Sequence, residues 1–69
     1  SLSARQRLAR LKSALKELPE RTRVAFAFHK FDGMSHAETA RRLGISVSAV
    51  EKHISAALKH LLRRLPDDE

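Results

Sequence analysis

Residues 35–65 read SHAETARRLGISVSAVEKHISAALKHLLRRL, a stretch that spells a short helix, a tight turn and a longer helix. Ser35 and Glu38 stand three apart, the spacing at which a hydroxyl and a carboxylate satisfy each other's free backbone donors and start a helix. Gly44 accepts the left-handed backbone that ends a helix, because it carries no Cβ. Ser46 caps the next helix. Ser48 with Glu51 offers a competing start two residues later, but Ser46 leaves Gly44 and Ile45 as a turn of ordinary length. Ala40 is small enough for the second helix to cross close to the first, and Ile45, Val50 and Ile54 fill the angle between them. The spacing predicts a helix-turn-helix unit.

Working outward, the rest of the chain is also helical, with no alternating strand pattern, repeat or low-complexity run. A capping box of Ser3 and Gln6 opens a first helix over about 3–17. Leu8, Leu11, Leu15 and Leu18 recur along it at spacings of three and four, and Arg5, Arg7, Arg10, Lys12 and Lys16 take the rest of its circumference. Leu18-Pro19 breaks this helix, and Pro19 suits the first position of a second one over about 19–31, closed by Asp32-Gly33. Val24, Ala25, Phe26, Ala27, Phe28 and Phe31 cover nearly the whole girth of that helix, which places it in the middle of a bundle. All three phenylalanines lie there and read as core rather than as a platform for stacking bases. The third and fourth helices span about 36–43 and 46–64. Val50, Ile54, Ala57, Leu58, Leu61 and Leu65 form the buried stripe of the fourth, and Pro66 ends it. The expected fold is all-α, a small four-helix bundle containing a helix-turn-helix and no wing. Residues 1–69 make one domain, and the abrupt Ser1-Leu2-Ser3 start and acidic end mark it as a piece of a larger protein.

Fourteen Lys and Arg against eight Asp and Glu give a formal charge of +6 on 69 residues. Removing the three negative charges of Asp67, Asp68 and Glu69 leaves +9 on the remainder. Such a surface seeks polyanions or acidic protein surfaces. The absence of cysteine excludes disulfides and thiolate metal sites and is consistent with the cytoplasm. No signal peptide or apolar run calls for membrane insertion. His29, His36, His53 and His60 lack metal-ligand spacing, no nucleophile stands beside a base, and Asp32, Glu38 and Glu51 have capping or surface roles open to them. An enzyme, a metal and a cofactor are therefore not expected. His53 and His60 read as rim residues, and Arg23 as an internal ion-pair partner of Glu38.

The outward side of the fourth helix carries Ser48, Ala49, Glu51, Lys52, Ser55, Ala56 and Lys59, the first of them in the turn that enters a major groove. Lys52 can donate to guanine O6 or N7, Glu51 can accept from cytosine N4, and the serines can serve either way. Glu51 and Ser55 also suit plain solvated positions. Arg41 and Arg42, with His29, Lys30 and His36 near the entry side and Lys59 further along, fit phosphate contacts, which set register and affinity without specifying sequence.

Leu18-Pro19-Glu20-Arg21, the Phe26 to Phe31 core, Asp32-Gly33-Met34-Ser35, Glu38-Thr39-Ala40, Leu43-Gly44-Ile45-Ser46 and Val50 together resemble region 4 of bacterial sigma-70-type factors of the extracytoplasmic-function group, over nearly the whole chain. The run from Ser46 to Ile54 is similar to the iron-starvation, ferric-citrate-type subfamily. The resemblance implies a domain that recognises the promoter −35 element through its fourth helix and docks an apolar rim on the flap of the RNA polymerase β subunit. It further implies an anti-sigma factor or membrane regulator as partner, and a monomer as isolated domain. Family base contacts fall on Ser48, Glu51, Lys52, Ser55 and Ala56, with phosphate contacts near His29 and His36. Many relatives carry Arg or Lys where Glu51 and Ala56 stand, a departure that bears on the promoter sequence read and implies weak DNA binding by the domain alone. A LuxR-type helix-turn-helix output domain, with a similar Gly-Ile-Ser to His-Ile segment, is an alternative, but the Leu18-Pro19-Glu20-Arg21 entry and the Phe-rich second helix favour the sigma reading. A protein-interaction module with little DNA affinity is the alternative of another class.

Overall fold

The computed structural model describes residues 3–65, in which four helices run in chain order: α1 (Ala4–Lys16), α2 (Glu20–Lys30), α3 (His36–Leu43) and α4 (Val47–Arg64). No strand occurs among the described residues. Each helix start has a local chemical cause. The Gln6 backbone N–H donates to Ser3 Oγ at 3.2 Å while the Ser3 N–H donates to Gln6 Oε1 at 3.0 Å. Ser35 and Glu38 repeat this exchange at 3.0 and 2.9 Å. Ser46 Oγ accepts from the Ala49 N–H at 3.0 Å, so the earlier of the two candidate starts is the one used. Pro19 stands just before α2 rather than as its first residue, with ψ of 149°. Its carbonyl accepts the Arg23 N–H at 2.9 Å, and its missing donor is lost where none is needed.

The turn between α3 and α4 is closed by backbone alone. Gly44 takes φ 68° and ψ 36°. The Ile45 N–H then reaches the Ala40 carbonyl at 3.0 Å and the Gly44 N–H reaches that of Arg41 at 3.3 Å, the paired bonds of a glycine-ended helix. Gly33 (φ 70°) performs the same reversal after α2, where the Asp32 N–H donates to the Ala27 carbonyl at 3.2 Å.

Every other helix packs on α4. Toward its N-terminus, Val50 and Ile54 meet Ala40, with Ile45 packed against them. Toward its C-terminus, Ala57 and Leu61 meet Ala14, Leu18 and Phe26, flanked by Leu11, Leu15 and Leu65. Ala14, Ala25 and Ala57 are completely enclosed, which allows the helix axes to approach closely. Two buried threonines complete the interior. The Thr39 hydroxyl donates to the Ser35 carbonyl at 2.9 Å, and Thr22 Oγ1 lies 2.8 Å from His53 Nδ1.

Several expectations from sequence need correction. Leu8, Phe31 and Leu58, assigned to buried faces, are exposed, and α2 is enclosed on one side only. With α3 and α4 as its main neighbours, α2 leaves Val24, Ala27 and Phe28 half-buried. Phe31 approaches the Phe26 ring edge-on at 6.0 Å. Arg23 does not pair with Glu38, whose carboxylate is taken by the cap at Ser35. His53 is a half-buried bridge to Thr22 rather than a rim residue, because its position falls beside the buried stripe of α4. The expectations for Pro66 and the acidic end lie outside the described residues.

No heavy atom lies within 4 Å of a Cβ built at Gly44, so a side chain there meets a conformational penalty and no collision. Gly44→Ala is expected to cost about 1–2 kcal/mol, and Gly44→Asn less, because asparagine tolerates the left-handed region. Thermal unfolding should show a Tm drop of roughly 4–8 °C per kcal/mol, with the Ala variant the lower of the two.

Candidate nucleic-acid interface

The burial of Val50, Ile54, Ala57 and Leu61 turns one side of α4 inward and leaves the other to solvent. Ser48, Glu51, Lys52, Ser55, Ala56 and Lys59 are all exposed there, spaced so that they line one face over the first four turns. The structure thus brings together the six side chains that the sequence assigns to base reading and to the adjoining phosphate.

The phosphate candidates divide by environment. Arg41 and Lys30 are exposed. Arg42 is also exposed, and its guanidinium lies 5.5 Å from the Phe28 ring centre, a cation–π contact that gives the side chain a preferred direction. His29 is half-buried, and its Nδ1 lies 2.8 Å from the Met34 carbonyl. A carbonyl can only accept, so Nδ1–H is the donor and the ring is anchored to the loop between α2 and α3. His29 is thus half-buried beside His36, whose ring centre is 4.4 Å away.

His36, the first residue of α3, places its Nδ1 4.0 Å from Glu51 Oε2 on α4. This pairing was not legible in the sequence. Positions 36 and 51 lie on different helices, and no spacing rule within one helix links them. The Thr22–His53 hydrogen bond, between α2 and α4, escaped for the same reason.

A second polar cluster lies at the opposite end of α4. Arg64 grips Glu17 with Nε at 2.7 Å and Nη2 at 2.9 Å, and His60 Nε2 reaches the same carboxylate at 2.9 Å. The Arg64 hydrogen bonds hold the Glu17 carboxyl below its ordinary value, against some desolvation, with the Arg64 charge and His60 assisting. The Glu17 carboxylate in turn raises Arg64. The cluster ties the end of α1 to the end of α4. Glu38 is likewise lowered, first by the Ser35 backbone N–H and then by the Ser35 side chain. Near the Glu17 end, Leu8, Leu11 and Leu65 with Arg7 and Arg10 line an open groove, and Leu62 is 79% exposed. Among the described residues no group of three or more His, Cys, Asp or Glu is placed to hold a metal ion, and no helix is long and apolar enough to cross a membrane.

A helix-turn-helix whose second helix presents a polar outer face beside clustered cations is the architecture of a DNA-binding module. The comparisons agree. Residues 8–61 match the family described as sigma-70, region 4. Over 52 residues the chain is 40% identical to the ferric citrate uptake sigma factor FecI of Escherichia coli (strain K12), an overlap covering 75% of this chain and 30% of that protein. No solved structure matches. The chain belongs to the sigma-70 region 4 family, the DNA-binding domain with which sigma factors read the promoter −35 element, and its likeness is to the ferric-citrate type. It spans about 30% of the length of the curated relative it matches.

Both lowered carboxyls make stability depend on pH in one direction. Their folded values lie below the ordinary 4.5, so the unfolded chain binds protons first as pH falls. The stabilisation is complete above the ordinary value and is lost as pH drops through the folded values. Thermal unfolding followed from about pH 7 to about pH 3 should show a falling Tm over the lower part of that range, and Glu17→Gln should flatten the fall.

Proposed function

We propose that this chain reads the −35 element by placing the first three turns of α4 in the major groove, as part of a larger sigma factor that directs transcription initiation. The observation that carries the reading is the exposed outer face of α4, held outward by the burial of Val50 and Ile54. Lys52 donates to guanine O6 or N7, Glu51 accepts from cytosine N4, Ser48 and Ser55 donate or accept, and Ala56 packs against a thymine methyl. Lys30, His36, Arg41, Arg42 and Lys59 hold phosphates and set the register, with His29 acting from beside His36.

The rest of the assembly follows the same reading. An apolar rim including Leu8, Leu58 and Leu62 docks on the β-flap of RNA polymerase core, and an anti-sigma factor or membrane regulator competes for the domain in the bacterial cytoplasm. The 79% exposure of Leu62, at the end of α4 away from the reading turns, favours a protein partner for that end. Membership of the iron-starvation group is supported by the likeness to the ferric citrate uptake sigma factor. The domain is monomeric and binds DNA weakly alone, because attachment to polymerase supplies effective concentration in place of intrinsic affinity.

The direct test is an amide NMR titration with a −35 duplex and a scrambled duplex of equal length at physiological salt. Shifts centred on residues 46–55 with the first duplex only are expected, and equal diffuse shifts with both would overturn the reading. Lys52→Ala should reduce discrimination between the two duplexes by about fivefold or more. Replacing Arg41 and Arg42 together by Ala should weaken binding to every duplex alike, and should shallow the log–log salt dependence by up to roughly 2, at about 0.9 per lost contact.

A further inference from the structure

Glu51 carries the only negative charge among the base-reading residues Ser48, Glu51, Lys52, Ser55 and Ala56. A carboxylate entering the major groove approaches phosphates on both strands, so it needs a nearby cation as well as a base-edge donor. The group recorded beside it is His36, with Nδ1 4.0 Å from Oε2. The His36 side chain is 35% exposed, and its Nε2 takes no hydrogen bond among the described residues. His29 lies beside the ring at 4.4 Å and is itself anchored by Nδ1–H on the Met34 carbonyl. A continuous series of contacts thus runs from the α2–α3 loop through His29 and His36 to the reading face of α4.

We propose that His36 is a positioning residue for base selection. As an imidazolium it donates Nδ1–H toward Glu51 and Nε2–H to a backbone phosphate, so that cytosine selection by Glu51 depends on a phosphate contact made from another helix. A neutral ring has one donor and cannot serve both oxyanions, so the link needs the doubly protonated ring. The titratable groups recorded against His36 are Glu51 from α4 and His29 from α2. The His29 ring lies against that of His36.

The inference rests on the reading of α4 proposed above, and the experiment separates the two. A duplex library randomised across the −35 window is captured by this chain and by its His36→Ala, His36→Gln and Glu51→Ala variants, at about pH 6 and about pH 8, on either side of the ordinary histidine range. Circular dichroism confirms that each variant is folded. The chain itself should enrich cytosine at one position about fivefold, more at the lower pH. Glu51→Ala should lose that enrichment and keep the others. His36→Ala should lose the same enrichment, and His36→Gln, which keeps a neutral amide donor, should restore part of it with no pH dependence. An intact cytosine column in His36→Ala, or an equal loss at every position, overturns the link between His36 and Glu51. Sequence preference that survives elsewhere while Glu51→Ala changes nothing also overturns the link but leaves the α4 reading standing. A library captured with no preference at all overturns both.

Discussion

The structure depends on the apolar stripe of α4 formed by Val50, Ile54, Ala57 and Leu61. Each of the other three helices packs on α4, and the two clusters that make up the core lie at the two ends of this stripe. The same burial that stabilises the bundle therefore sets the rotation of the reading helix. Val50, wholly enclosed, faces Ala40 and Ile45, and the residues half a turn away face solvent as a geometric consequence. Core and interface are two sides of one helix. A change in the first turns is registered in the second, because a packed interior transmits displacement rather than absorbing it.

Charge is arranged on a similar division. Three of the acidic side chains are engaged locally: Glu17 by Arg64 and His60, Glu38 by the cap at Ser35, and Glu51 by His36. These carboxylates have partners within the domain, while Lys30, Arg41, Lys52 and Lys59 remain exposed. A positive surface of this kind attracts DNA without regard to sequence, and in the proposed reading discrimination is left to the polar side chains on α4. The absence of Arg, Asn and Gln from the reading face agrees with modest intrinsic selectivity, since those residues make the strongest bidentate base contacts.

The two ends of α4 consequently have different work. The N-terminal turns present polar groups over the Ala40–Val50–Ile54 packing, whereas the C-terminal turns present Leu58 and Leu62 to solvent beyond the Glu17–Arg64 bridge. Exposed leucines cost solubility without return unless a partner covers them, which is the role proposed above for this end. In the reading proposed above, DNA at one end and protein at the other let one helix couple promoter contact to assembly.

How much of this was legible in the chain itself follows from the range of each interaction. The caps at Ser3, Ser35 and Ser46, the glycine reversal at Gly44 and the outward set Ser48, Glu51, Lys52 and Ser55 all arise between residues a few positions apart, so the sequence by itself determined the helices, the turn and the face of α4. The exposure of Leu8, Phe31 and Leu58 was not legible, because periodicity marks an apolar stripe but cannot say whether a neighbour covers it. The contacts Thr22–His53, His36–Glu51 and Glu17–Arg64 join residues on different helices. Only the tertiary structure decided them, since the crossing of helices depends on how Ala14, Ala40 and Ala57 allow the axes to approach, and no local pattern encodes that distance.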